Sequence, residues 1–90
     1  MAYLRKVPEW VGWKASDQYT RGVSDVVGCY KGFFVAIEIK RKGQNPTELQ
    51  WSFIHRIRKV GGYADVARSV EDVQRFLAWV DQDIQLRVKI

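Results

Sequence analysis

The sequence predicts an α/β fold: a mixed β-sheet, made of a hairpin plus a crossover strand, flanked by helices. Three observations carry this expectation. Val35-Ala36-Ile37-Glu38-Ile39-Lys40 alternates, with Val35, Ile37 and Ile39 on one side and Ala36, Glu38 and Lys40 on the other; strand side chains alternate faces, so this is a half-buried strand. The β-branched run Val23-Ser24-Asp25-Val26-Val27 lies just upstream, joined to it through Tyr30-Lys31-Gly32-Phe33. A capped amphipathic stretch then separates the alternating strand from a short apolar run, Tyr63-Ala64-Asp65-Val66-Ala67. A helix between two strands favours a parallel crossover, and this one is close to the shortest such a unit allows.

Taken in order, the first twenty residues are the least patterned. Pro8-Glu9-Trp10-Val11 fits a helical turn with Pro at its start, a short strand fits Val11 to Ala15, and Ser16-Asp17-Gln18 is turn-like. Gly28, inside a strand-like run, signals a bulge or a close backbone approach. Residues 24–30 and 33–40 read as a β-hairpin with Lys31-Gly32 at its tip. Folding there sets Asp25 opposite the region of Glu38 to Lys40, so three charged side chains converge at one end of the sheet. Asn45-Pro46-Thr47-Glu48 is a helix start with Asn as N-cap. Leu49, Phe53, Ile57 and Val60 recur at helical spacing, with Ile54 beside them, and are expected to face the sheet; Arg56 and Lys59 fall opposite, and Gly61-Gly62 stops the helix. Ser69 caps a second helix whose apolar face is Val73, Phe76, Leu77 and Val80. The tail Ile84-Gln85-Leu86-Arg87-Val88-Lys89-Ile90 alternates and reads as an edge strand open to pairing with another chain.

Ninety residues allow a single domain, residues 1–90. The formal charge of +5 favours polyanions, nucleic acid before anionic membrane; a basic but uninvolved surface is the plain alternative. Cys29 is the only cysteine and His55 the only histidine, so neither an internal disulfide nor a Cys/His zinc site is expected. No apolar run approaches the ~20 residues of a membrane span, and the N-terminus lacks an apolar signal core. A cytoplasmic protein is expected. Cys29 is expected to be buried, His55 to lie on the surface, and Trp51 and Trp79 to serve packing or dimer contacts, with base stacking as the alternative for exposed rings.

Two carboxylates beside a lysine suit a hard divalent cation such as Mg²⁺, which takes oxygen ligands and commonly uses one or two carboxylates. A solvated, ion-paired strand face accounts for the same spacing. Lys40 suits positioning of an attacking water or stabilising charge on phosphorus; Arg41 and Lys42 suit flanking phosphates.

Gly22-Val23-Ser24-Asp25, then Ala36-Ile37-Glu38-Ile39-Lys40, then Gln50 in a helix resembles the core of the PD-(D/E)XK nucleases, and more narrowly their VRR-NUC (virus-type replication-repair nuclease) branch. The supporting stretches are Arg21 to Gly32, Phe34 to Arg41, Pro46 to Gln50 and Gly61 to Ala64, so the resemblance spans roughly residues 20 to 76. It implies a restriction-endonuclease-like core and a Mg²⁺- or Mn²⁺-dependent DNA endonuclease, similar to Holliday-junction resolvases, acting on branched DNA as a homodimer. It further implies that Asp25, Glu38 and the main-chain carbonyl of Ile39 hold the metal. Lys40 becomes the catalytic lysine, Gln50 orients water or a ligand, and Arg21, Arg41 and Lys42 contact DNA. Ser24 stands where the family name has proline. The family also opens with a helical glutamate; before Asp25 this chain has only Glu9 and Asp17 as acids, and Glu9 is the candidate replacement. Two further readings stay open: a non-catalytic nucleic-acid-binding module, and a protein-interaction domain using Trp10, Trp13 and the tail.

Overall fold

A computed structural model describes residues 3–15 and 22–88. The expected turn at Ser16-Asp17-Gln18, together with the DNA-contact candidate Arg21, lies outside the described residues. A 3-10 turn at Leu4–Lys6 precedes β1 (Trp10–Lys14), β2 (Val26–Tyr30), β3 (Phe33–Ile39), α1 (Glu48–Lys59), β4 (Tyr63–Ala67) and α2 (Val70–Val88). The sheet runs β1-β2-β3-β4. β1, β2 and β3 are antiparallel neighbours, and β4 joins β3 in parallel through α1. The molecule is therefore α/β with a four-stranded mixed sheet, as the alternation and the helix between strands predict. The helical turn falls earlier than Pro8, and Trp10 already belongs to β1.

The hairpin turn is of the tight two-residue kind. Lys31 (φ 52) and Gly32 (φ 89) both take left-handed conformations, the geometry that matches the right-handed twist of the flanking strands. Lysine is an unusual residue there, and it is held: Lys31 Nζ lies 2.7 Å from Asp81 Oδ1 and 3.6 Å from Glu9 Oε2. Tyr30 Oη also donates to Asp81 Oδ1 at 2.8 Å, which pins the hairpin tip to α2. The pairing is regular through Gly28, opposite Gly12 on one side and Val35 on the other. Gly28 thus marks a close approach, not a bulge: a Cβ there would sit 2.5 Å from Val11 O and 2.6 Å from Gly12 Cα.

The sheet has a core on each face. On one, α2 packs Val73, Phe76, Leu77 and Val80 against Val26, Tyr30, Val35, Ile37, Tyr63 and Ala67. On the other, α1 packs Ile54, with Trp51, Phe53 and Ile57 around it, against Val27, Ala36 and Ala64. The expected apolar face of α1 is corrected in part, since Leu49 and Val60 are exposed. The reason is helical phase: at ~100° per residue Leu49 and Val60 both lie more than ~100° round the helix from Ile54, the buried centre of the face. Thr47, not Asn45, is the N-cap, and its side chain and that of Gln50 form a reciprocal capping box. Val60 is the C-cap, past the last helical residue.

The tail is also corrected. As far as the structure describes it, Ile84 to Val88 is helix, not strand: α2 continues as one helix to Val88. Ile84 packs against the same core as Val80, a helical spacing of four, whereas Leu86 and Val88 are exposed. Arg87 locks this last turn by an i,i+4 pair with Asp83 and a hydrogen bond to Gly61 O at 2.8 Å. Among the described residues no helix is long and apolar enough to cross a membrane. Cys29 is exposed instead of buried, because α1 covers the β3–β4 half of its sheet face and leaves Val11, Cys29 and Phe34 open.

Candidate active site

The site grows out of the hairpin register. Val26 pairs with Ile37, so one step further along the same ladder Asp25 faces Glu38. Facing residues on paired strands share a sheet face, here the α1 side, where Val27 and Ala36 also point. Asp25 is fixed by its main chain, which accepts from Ala15 N at 2.7 Å, and by its side chain, whose Oδ2 accepts from Ile39 N at 2.9 Å. The Asp25 carboxylate thus lies across the end of β3, beside the peptide that joins Ile39 to Glu38. Gly22, in the approach to Asp25, has φ +80 and sits against Leu49 O of α1. A side chain there would be strained and would press on the helix.

Glu38 is 1 % exposed. Its Oε2 lies 3.6 Å from Lys40 Nζ, while Oε1 is buried without a hydrogen-bond partner. Burial, followed by the charge and hydrogen bonding of Asp25, pushes its pKa up to about 7, against the opposing pull of Lys40. These features describe one situation. With both carboxylates ionised, Glu38 has an oxygen that nothing satisfies; a proton on Glu38 gives it a donor to offer Asp25. Either a proton or a cation relieves the pair.

A divalent cation fits this donor set, because two convergent carboxylates supply hard oxygens and one of those oxygens has no other partner. Among the described residues no cluster of three His, Cys, Asp or Glu side chains occurs, so the carboxylate set is Asp25 and Glu38. Glu9 does not complete it. It belongs to the hairpin tip, paired with Lys31, while Glu38 lies at the other end of β3, ~23 Å away at ~3.3 Å per residue.

Lys40 meets Glu38 as expected and keeps a partly exposed side chain. Ile39 turns its side chain to the opposite face, as alternation requires, and its N–H is taken by Asp25. Gln50 sits on the first turn of α1 with its Oε1 accepting from Thr47 N at 2.9 Å, so that oxygen serves the helix cap. Arg41 and Lys42 are exposed on the loop that leaves β3 and have no ion pair among the described residues.

Arg68 escaped the sequence reading. Its guanidinium donates to Gln44 O at 2.8 Å and to Asn45 Oδ1 at 3.1 Å, tying the 41–47 loop to the end of β4. No local signal shows this, since the partners lie more than twenty positions apart and meet only because β4 pairs with β3. Ser24, which stands where the family name has proline, is 1 % exposed with an unpartnered hydroxyl and is next in sequence to Asp25.

No protein-family model matches the chain, and no curated protein matches it.

Proposed function

We propose that the chain is a Mg²⁺- or Mn²⁺-dependent endonuclease that hydrolyses DNA phosphodiester bonds, with a restriction-endonuclease-like core of the virus-type replication-repair nuclease branch. The observation that carries this reading is the buried Glu38, with an orphaned carboxylate oxygen, between Asp25 and Lys40. Ion-paired strand faces keep their carboxylates in solvent; a carboxylate buried against a second one is costly unless it has a task. Asp25, Glu38 and the Ile39 carbonyl would hold the metal, which when bound supplies a water of lowered pKa and neutralises charge on phosphate. Lys40, anchored by Glu38 and partly open to solvent, offers N–H donors to the attacking water or to a phosphate oxygen. Arg41 and Lys42 hold phosphates of the flanking strand without reading sequence. Branched DNA is the proposed substrate and a homodimer the proposed form, because a four-way junction presents two symmetric cuts; the helical tail supplies no strand edge for that dimer.

The second reading is a non-catalytic DNA-binding module. It is favoured by the use of the Gln50 oxygen in the helix cap. The test is a panel of duplex, flap, splayed and four-way junction DNA, incubated with EDTA, Mg²⁺ or Mn²⁺. Nicking that requires the cation is expected, with a drop of roughly 10²-fold or more in Glu38→Gln and in Lys40→Met, circular dichroism remaining native. Absence of cation-dependent cleavage on every substrate hands the site to the binding module.

A further inference from the structure

The outer flank of α1 carries a groove that the site above does not use. It has a volume of about 440 Å³ and is lined by Glu48, Trp51, Ser52, His55, Arg56 and Lys59. Trp51 is half-buried, seated on the core of Val27, Ala36, Ile54 and Ala64. His55, one helical turn on, stacks on it with ring centroids 5.7 Å apart and an interplanar angle of 25°. A ring rooted in the core and backing an exposed ring makes a rigid aromatic platform, which costs little conformational entropy to present.

Three cations lie on this part of the helix, and they divide. Arg58 is spent internally: its Nε donates to Ala64 O at 2.9 Å and its guanidinium pairs with Asp65 at 3.3 Å. Arg56 and Lys59 are exposed and have no ion pair among the described residues. From Trp51 to Lys59 the groove follows the helix for ~12 Å at ~1.5 Å per residue. Glu48, at its upper end, repels phosphate and biases an anionic chain toward Arg56 and Lys59.

We infer that this groove binds a single-stranded nucleic-acid arm, with the Trp51–His55 platform stacking a base and Arg56 and Lys59 holding adjacent phosphates. Aromatic faces interleaved with unpaired cations are what an unpaired strand recognises, because every base has a π-face and every linkage a charge. A duplex keeps its bases stacked inside and offers the platform nothing. The inference rests on the DNA-binding reading and deepens it: a branched substrate with an unpaired arm, as flaps and splayed ends have, gains contacts in this groove that a fully paired duplex arm does not.

The test is fluorescence anisotropy of a labelled oligo(dT) and of an abasic oligomer of equal length, in EDTA, over a range of salt. In wild type, oligo(dT) is expected to bind more tightly than the abasic strand. His55→Ala should weaken oligo(dT) about five-fold or more and leave the abasic strand unchanged. Arg56→Gln/Lys59→Gln should weaken both strands and flatten the slope of log affinity against log salt by ~1.4, two contacts at ~0.7 each. All three residues are exposed, and circular dichroism checks each variant. Equal binding of the two strands by wild type, or an unchanged salt slope in the double variant, overturns the inference. Because no cation is present and neither Asp25 nor Glu38 is altered, these outcomes are independent of whether the chain cleaves DNA.

Discussion

Replacing Glu38 by glutamine separates stability from function at one atom. In the folded chain burial and Asp25 move the Glu38 pKa from its ordinary 4.5 to about 7. A carboxylate whose folded pKa is raised binds its proton more tightly in the native state. Its contribution is therefore fully present below pH 4.5 and is lost as pH rises toward and through 7. At ~1.4 kcal/mol per pKa unit, the cost of ionising Glu38 approaches ~3 kcal/mol at pH 8, an upper bound because relaxation and water entry reduce it. Glu38→Gln keeps the shape, carries no charge and brings an N–H₂ donor toward Asp25. Calorimetric melting at pH 8 in EDTA should show the variant more stable by about 1–3 kcal/mol, or roughly 5–15 °C for a domain this size. The advantage should shrink to nothing by pH 4.5. Asp72 and Asp81, whose pKa values lie below the carboxylate norm, act with the opposite sign at lower pH, so the window between pH 5 and 7.5 belongs to Glu38. Adding Mg²⁺ at ten times its dissociation constant should return ~1.4 kcal/mol to wild type alone. A variant that is no more stable than wild type at pH 8, or a wild type whose stability is flat from pH 5 to 7.5, refutes the picture of a buried, proton-hungry carboxylate pair.

Two further outcomes test the frame around the site. Gly28→Ala should cost ~2 kcal/mol and lower the melting temperature by ~10 °C, because the new Cβ meets Val11 O and Gly12 Cα inside contact distance and the β1–β2 pair must spread. Arg68→Ala frees the loop that carries Arg41 and Lys42; if that loop holds flanking phosphates as proposed, steady-state cleavage should show KM raised several-fold at nearly constant kcat.

The parts of this architecture that could be read from the chain are those governed by short-range periodicity. The two-residue turn at Lys31-Gly32 fixes the ladder, and the ladder alone sets Asp25 against Glu38; a hairpin register is a local property. The apolar face of α2 was legible for the same reason. What misled was periodicity without context. Ile84, Leu86 and Val88 alternate like a strand, but the core needed only Ile84, and the Asp83–Arg87 pair with the Arg87–Gly61 contact made a helical turn the better solution. Asn45-Pro46 carries a cap signature as good as that of Thr47 with Gln50, and it is the reciprocal Thr47–Gln50 box that forms. Arg68 and the neutralised Arg58 depend on partners brought near by the β3–α1–β4 crossover, and no window of sequence contains that information.

Charge balance explains why the site should couple cation and DNA. Asp25 and Glu38 ionised, with Lys40 beside them, leave one net negative charge at the end of β3, in a chain whose overall formal charge is +5. A phosphate drawn in by Arg41 and Lys42 meets repulsion at the point where cleavage would occur. Protonating Glu38 removes the repulsion but also removes a ligand oxygen. A divalent cation held as proposed would remove it, keep both carboxylates ionised, satisfy the orphaned Oε1 and reverse the local sign, so that phosphate would be attracted. Binding of the cation and of DNA at this position should then be mutually reinforcing, and by linkage each should tighten the other by the same factor. Titrating duplex DNA in Ca²⁺ in place of Mg²⁺, a hard cation with the same preference for oxygen ligands, measures that factor. The same factor in Glu38→Gln as in wild type would mean that the cation acts on the DNA and not on this pair.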